Sequence, residues 1–173
     1  MMQTKETIVI SDLSHLPRVG LKGPQAADWL IGKQIKVPEK PNACRTSGEG
    51  TLVLRLGLSE FLIEGQTDQL TTNKVKTSLM EKAPGIYPVP RADTALRISG
   101  SDTLRLFSEI CMLDLSPESV INEVYMTQVA GISAILTKHA NDDFRIWCDC
   151  TYSKYLQTTL SDIAKSFSPM NVT

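Results

Sequence analysis

The chain has 173 residues, 42% of them hydrophobic, enough apolar material for one substantial core or two small ones without a metal or disulfide staple. Lys and Arg total 18 against 19 Asp and Glu, for a formal net charge of −1. With no concentrated basic field, nucleic acid and anionic membranes are excluded as expected partners.

No apolar stretch approaches the roughly 20 residues needed to cross a bilayer. The opening MMQTKETIVISDLS lacks the basic start and apolar middle of a signal peptide, so a cytoplasmic location is expected. Cys44, Cys111, Cys148 and Cys150 are spaced as reduced, packed thiols rather than as a disulfide framework.

Taken in chain order, the first half reads as strand, helix, two strands, helix. VGLKGPQAADWLIG is a strand, a glycine turn at Gly23 and a short helix, with Pro24 at the first helical position and Gly32 as its stop. Ala26, Trp29, Leu30 and Lys33 share one face. TLVLRLGL, residues 51–58, alternates as a strand with a single core face made by Leu52, Leu54, Leu56 and Leu58. LSEFLIEG is its expected hairpin partner. A helix follows, with Leu70, Val75, Leu79 and Ala83 at helical spacing before Pro84 and Gly85. Pro84, Pro88 and Pro90 then predict a stiff, extended connector between two halves, 1–85 and 86–173.

The second half repeats that order. ALRIS is a strand, Gly100 turns it, and Ser101 and Asp102 open a helix with Leu104, Phe107, Ile110 and Cys111 inward. YMTQVAGISAILTK and FRIWCD form a predicted hairpin around HANDD. TYSKYLQTTLSDIAKSF closes the chain with a helical stripe of Tyr152, Leu156, Leu160, Ile163 and Phe167. Gly23 and Gly100 lie 77 residues apart, and shifting by that amount sets Leu30 on Phe107 and the strand from Leu52 on the strand from Val129. The expected fold is therefore α+β: two pseudo-symmetric strand-helix-hairpin-helix halves packed as one unit.

Few residues suggest chemistry. His15 precedes a proline and His139 lies in the expected turn, neither beside a second ligand at metal spacing. Cys148 and Cys150, two apart on a strand, would point together but make at most half a zinc site. Asp12, Ser14, His15 and Arg18 could form a polar site, although Asp12 and Ser14 more simply hold a turn. RTSGEG has phosphate-loop glycines without a following lysine or a preceding strand. No carboxylate pair converges as an acid and base would have to. The expected catalytic, cofactor-binding and metal-site residues of this chain are none.

Several segments nevertheless resemble a known family. LSHLPRVGLKGPQAADWL, GLSEFLIEG, ALRISGSDTLRLFSEICMLDLSP and TQVAGISAILTKHANDDFRIWCDCTYSKYLQTTL are similar to the gamma subunit of heterotetrameric sarcosine oxidase, from about Leu13 to Phe167. More distantly, the chain resembles the folate-binding part of the glycine-cleavage T protein, an aminomethyltransferase. The resemblance implies a subunit, without catalytic residues of its own, of a complex that demethylates an N-methylated amino acid such as sarcosine and passes the one-carbon unit to tetrahydrofolate. FAD, FMN, NAD and tetrahydrofolate are then expected on the other subunits, the alpha subunit in particular is the expected partner, and a homodimer is expected if the chain stands alone. The T-protein pattern has an aspartate after its glycine-rich turn; here Thr51, Leu52, Val53 and Leu54 follow GEG, so that role is not carried over. Glu49, nearby in that loop, is a poor substitute for it. Trp29, Trp147, Tyr152 and Tyr155 are candidate interface anchors. A stand-alone folate-binding protein and a ligand-sensing regulatory module are the competing readings.

Overall fold

The computed structural model describes residues 8–48, 50–66, 70–116 and 121–167. Among them ten strands and four α-helices build two five-stranded sheets. The N-terminal unit comprises His15–Ala92 with Asn122–Val124; the C-terminal unit comprises Met1–Ser14, Asp93–Ile121 and Tyr125–Thr173.

In the N-terminal unit, β2 (Arg18–Lys22) feeds α1 (Ala26–Gly32), a meander of β3 (Ala43–Ser47), β4 (Thr51–Arg55) and β5 (Glu60–Glu64), α2 (Leu70–Met80) and β6 (Tyr87–Val89). The strand order is β3-β4-β5-β2-β6. Val53, Phe61, Ile63, Val19 and Leu21 on one sheet face meet Ala26, Leu30 and Val75 of the helices to form this unit's core. Gly23 has φ +139°, and a Cβ there would lie 2.1 Å from the Gly85 carbonyl oxygen. Only glycine lets β2 turn into α1 so close to that backbone.

In the C-terminal unit, β7 (Asp93–Ser99) feeds α3 (Thr103–Ile110), the meander β8 (Val124–Val129), β9 (Ile132–Ala140) and β10 (Asp143–Asp149), and α4 (Ser153–Ser166). The order is β8-β9-β10-β7, with β1 (Val9–Asp12) completing the far edge. Leu96, Ile98, Leu136, Phe144 and Ile146 pack against Leu106, Phe107, Leu156 and Leu160. The Phe107 and Phe144 rings are 4.6 Å apart between centroids.

The two sheets thus share one strand order, and their fifth strands are exchanged in sequence. β1 precedes β2 yet pairs with β7, and β6 precedes β7 yet pairs with β2. A boundary at 85/86 therefore differs from these units: residues up to Ser14 belong with the second half and Tyr87–Val89 with the first. The stiff connector is half strand, as its extended prolines allow at a sheet edge.

Other sequence expectations change for local reasons. β3 is not foreseen, because ACRTS has no clean alternation; it takes Arg45, Thr46 and Ser47 of RTSGEG into a strand paired with β4. YMTQVAGISAILTK holds two strands, not one: Ala130 and Gly131, with φ +50° and +79°, supply the paired left-handed residues of a two-residue hairpin turn. That turn lay unread between two apolar runs. Leu52, Val53 and Leu54 are all buried, so β4 has two covered faces, whereas Leu58, beyond its end, is 79% exposed. Asp102 makes no side-chain cap; Thr103 Oγ1 donates to the Gly100 carbonyl instead. Leu106, not named in the expected face of α3, is fully buried, while Tyr152 lies outside the α4 stripe and is exposed.

Candidate functional site

Asp12, Ser14, His15 and Arg18 do not assemble a site. Asp12 Oδ1 accepts the Ser14 N–H at 2.8 Å, and Ser14 Oγ accepts the Ala95 N–H at 3.1 Å, so the pair holds the turn after β1. Asp12 Oδ2 also accepts from the Gln157 amide. His15 is exposed. Arg18 Nε donates to Glu64 Oε2 at 2.7 Å across the β2–β5 pair, with both side chains buried.

A set of ionisable groups lies on the sheet face of the C-terminal unit opposite its helices. Register brings Arg97 of β7, Arg145 of β10 and Thr137 of β9 into one row. Arg97 grips Asp143 through two hydrogen bonds of 2.8 and 3.0 Å, and this partner raises the guanidinium pKa. His139 Nε2 is 2.9 Å from Thr137 Oγ1. Burial, and then the Arg145 charge, pushes its pKa down to about 4. His139 therefore sits neutral at pH 7, on strand β9 rather than in the expected turn. The two guanidinium N–H groups occupy both oxygens of the Asp143 carboxylate, so the pair ties β7 to β10.

Cys148 and Cys150 do not point together. β10 ends at Asp149, whose carboxylate accepts the Thr151 N–H and caps a 3-10 turn, leaving Cys150 exposed while Cys148 stays buried. Burial first, and nearby Asp93 and Asp149, push the Cys148 thiol up to about 11. Among the described residues no group of three His, Cys, Asp or Glu is placed to hold a metal. Glu49 lies outside the described residues; Thr51, Leu52, Val53 and Leu54 are buried and carry no ionisable group. Of the aromatic residues, Trp147 is core, Trp29 is half-buried with Lys33 Nζ 5.4 Å from its ring, and Tyr152 and Tyr155 are exposed.

Two buried charges escaped the sequence reading. Glu64 ends the apolar run FLIE, and Lys138 follows Ile132, Ala134 and Leu136 on the core-facing parity of β9. Lys138 Nζ donates to the Ser116 carbonyl at 2.8 Å and the Leu115 carbonyl at 3.4 Å. The parity of Lys138 was the available signal; a charge on that face has to be satisfied internally.

The N-terminal unit also carries a groove of about 470 Å³ at the β6 edge of its sheet, lined by Arg18, Gly20, Lys76, Leu79, Met80 and Pro88 to Arg91. No family model matches the sequence, and no curated protein matches it. Solved structures do. Aminomethyltransferase T of the glycine cleavage system from Bartonella henselae aligns with a TM-score of 0.68 at 14% identity, over 91% of this chain and 46% of that one. A chain of heterotetrameric sarcosine oxidase from Corynebacterium sp. U-96, solved with pyrrole 2-carboxylate, aligns with a TM-score of 0.81 at 19% identity, over 99% of this chain and 90% of that one. The fold, from end to end, is that of a heterotetrameric sarcosine oxidase chain, and shares its layout with part of the glycine-cleavage aminomethyltransferase.

Proposed function

We infer that the chain is a non-catalytic, gamma-type subunit of a sarcosine-oxidase-like complex, one that demethylates sarcosine or a related N-methylated amino acid. The observation that carries this reading is the end-to-end match to a chain of a heterotetramer, covering 90% of that chain with no large part left over. It is supported by what the side chains offer. The neutral His139, the clamped Asp143 and the buried Cys148 make a stable sheet, and none is poised as a base or nucleophile. On this reading FAD, FMN, NAD and tetrahydrofolate belong to the larger subunits, the alpha type is the main partner, and the duplicated strand order serves as a scaffold of two similar halves. The absence of any helix long and apolar enough to cross a membrane, among the described residues, agrees with a soluble complex.

A stand-alone folate-binding protein is the second reading, favoured by the aminomethyltransferase likeness. Against it, the strand Thr51–Arg55 carries Leu52, Val53 and Leu54, which can neither orient an amine nor stabilise a positive charge. Co-expression with a large flavoprotein subunit of the sarcosine-oxidase type decides between them. A stoichiometric complex that turns over sarcosine, with no activity of this chain alone, is the expected result. Tetrahydrofolate binding by the isolated chain, seen as heat in calorimetry, would favour the second reading.

A further inference from the structure

A cavity of about 660 Å³ opens in the N-terminal unit where α1, residues 34–39 and the β3–β4 pair meet. That is room enough for a small molecule. Its strand wall is basic. Arg45 faces Val53 across the ladder and Ala43 faces Arg55, so the two arginines are diagonal neighbours on the sheet face that carries the core residue Val53.

Arg55 differs from Arg18 and Arg97, which are paired with the carboxylates of Glu64 and Asp143. Its Nη1 donates to the carbonyls of Pro38 at 3.2 Å and Glu39 at 2.8 Å, and its Nη2 to the Leu58 carbonyl at 2.8 Å. Its Nε is buried without an acceptor. Carbonyls satisfy N–H groups but do not cancel a charge, so this half-buried guanidinium keeps its positive field. Arg45 is exposed, and its bond to the Val37 carbonyl is long, at 3.4 Å. Most of its N–H groups remain open to a ligand.

Lys36, Asp28 and Glu39, all exposed, complete the ionisable lining. Among the described residues no ion pair joins any of these charges. Three cations against two carboxylates leave one positive charge over, which one negative charge on a ligand would balance. A multiply charged anion would face Asp28 and Glu39 in the same cavity. Ile31 on α1, 56% exposed, and Ile35 and Val37 supply apolar surface beside the arginines.

We propose that this cavity binds a small monocarboxylate with a compact apolar body, its carboxylate on Arg45 in the field of Arg55 and its body against Ile31 and Val37. Pinned by three carbonyls, Arg55 supplies field, while the fork of Arg45 supplies the bonds. The inference stands apart from the subunit role proposed above.

The test is a titration of the full chain, followed by amide NMR, with 4-methylpentanoate, L-leucine, 3-methylbutylamine and acetate. The first two carry both carboxylate and apolar body; the amine lacks the carboxylate and acetate lacks the body. Saturable shifts at Ile31, Val37 and Arg45 are expected with either acid, and binding of the amine and of acetate at least about tenfold weaker. The tighter of the two acids tells a free acid from an amino acid, whose ammonium would turn toward Asp28. Arg45→Glu and Ile31→Asp change exposed positions on two walls of the cavity, and each should weaken binding about tenfold or more. Lys154→Glu on α4, outside the cavity, should change it no more than about twofold. Circular dichroism and thermal melts establish that the variants are folded; where one is not, the comparison of the four probes on the wild type decides. Three results would overturn the proposal: the amine or acetate binding as tightly as the acids, equal affinities across the three variants, or no saturation by about 20 mM of either acid. None of them touches the subunit role, which co-expression reads separately.

Discussion

The N-terminal and C-terminal units use one strand order but bury charge in opposite ways. In the first, Arg18 and Glu64 face each other across β2 and β5 as a buried ion pair. In the second, Lys138 lies inside the helix-side core, its ammonium donating to the carbonyls of Leu115 and Ser116 and 6.0 Å from the Phe144 ring. The salt bridge ties two paired strands 46 residues apart in sequence, already held together by their backbone ladder. Lysine ties a loop to a strand 22 residues away in sequence. The same layout thus buries a basic side chain against a carboxylate on the neighbouring strand in one unit and against loop carbonyls in the other.

Three measurements would break or sharpen that contrast. The largest effect is expected from Glu64→Ala, which takes a carboxylate partner from the buried Arg18 guanidinium. Urea unfolding should show a loss of about 3–5 kcal/mol. Lys138→Met removes the charge together with its desolvation cost and keeps the apolar stem, so it should lose only about 1–2 kcal/mol. Equal losses would show that the two devices do the same job. Next comes pH. His139 has a folded pKa of about 4 against an ordinary 6.5, so the unfolded state binds more protons between those values. Its contribution is complete above about pH 6.5 and is lost as pH falls toward 4. His139→Gln should flatten that slope, removing about 2 kcal/mol of the change between pH 7 and pH 4. A slope that survives the substitution would place the titration elsewhere. The smallest effect belongs to Arg97→Ala, whose pair with Asp143 is 46% and 23% exposed, at most about 1 kcal/mol in a thermal melt.

Much of the layout was legible because helices and turns announce themselves locally. Leu156 and Leu160 fell on one helical stripe and are fully buried, and Gly23 and Gly100 both adopt positive φ at the strand-to-helix turn. The Asp12–Ser14 turn was also read correctly. The site was less legible. Lys138 was hidden in an apolar alternation, His139 was assigned to a five-residue turn where the strands leave only Asn141 and Asp142 between them, and Cys150 was placed on a face that the strand no longer has when it ends at Asp149. For His139 and Cys150 the misreading came from where a strand stops, which backbone pairing decides and side-chain type does not.

The sequence by itself determined the repeat of strand, turn and helix and the position of the long helices. Those properties live in periodicity and composition, which act over a few residues. Only the tertiary structure decided that β1 would complete the sheet of the second half and β6 the sheet of the first, and that ACRTS would be a strand. A strand's partner supplies its hydrogen bonds from distant sequence, so pairing and everything built on it are settled when the sheets assemble.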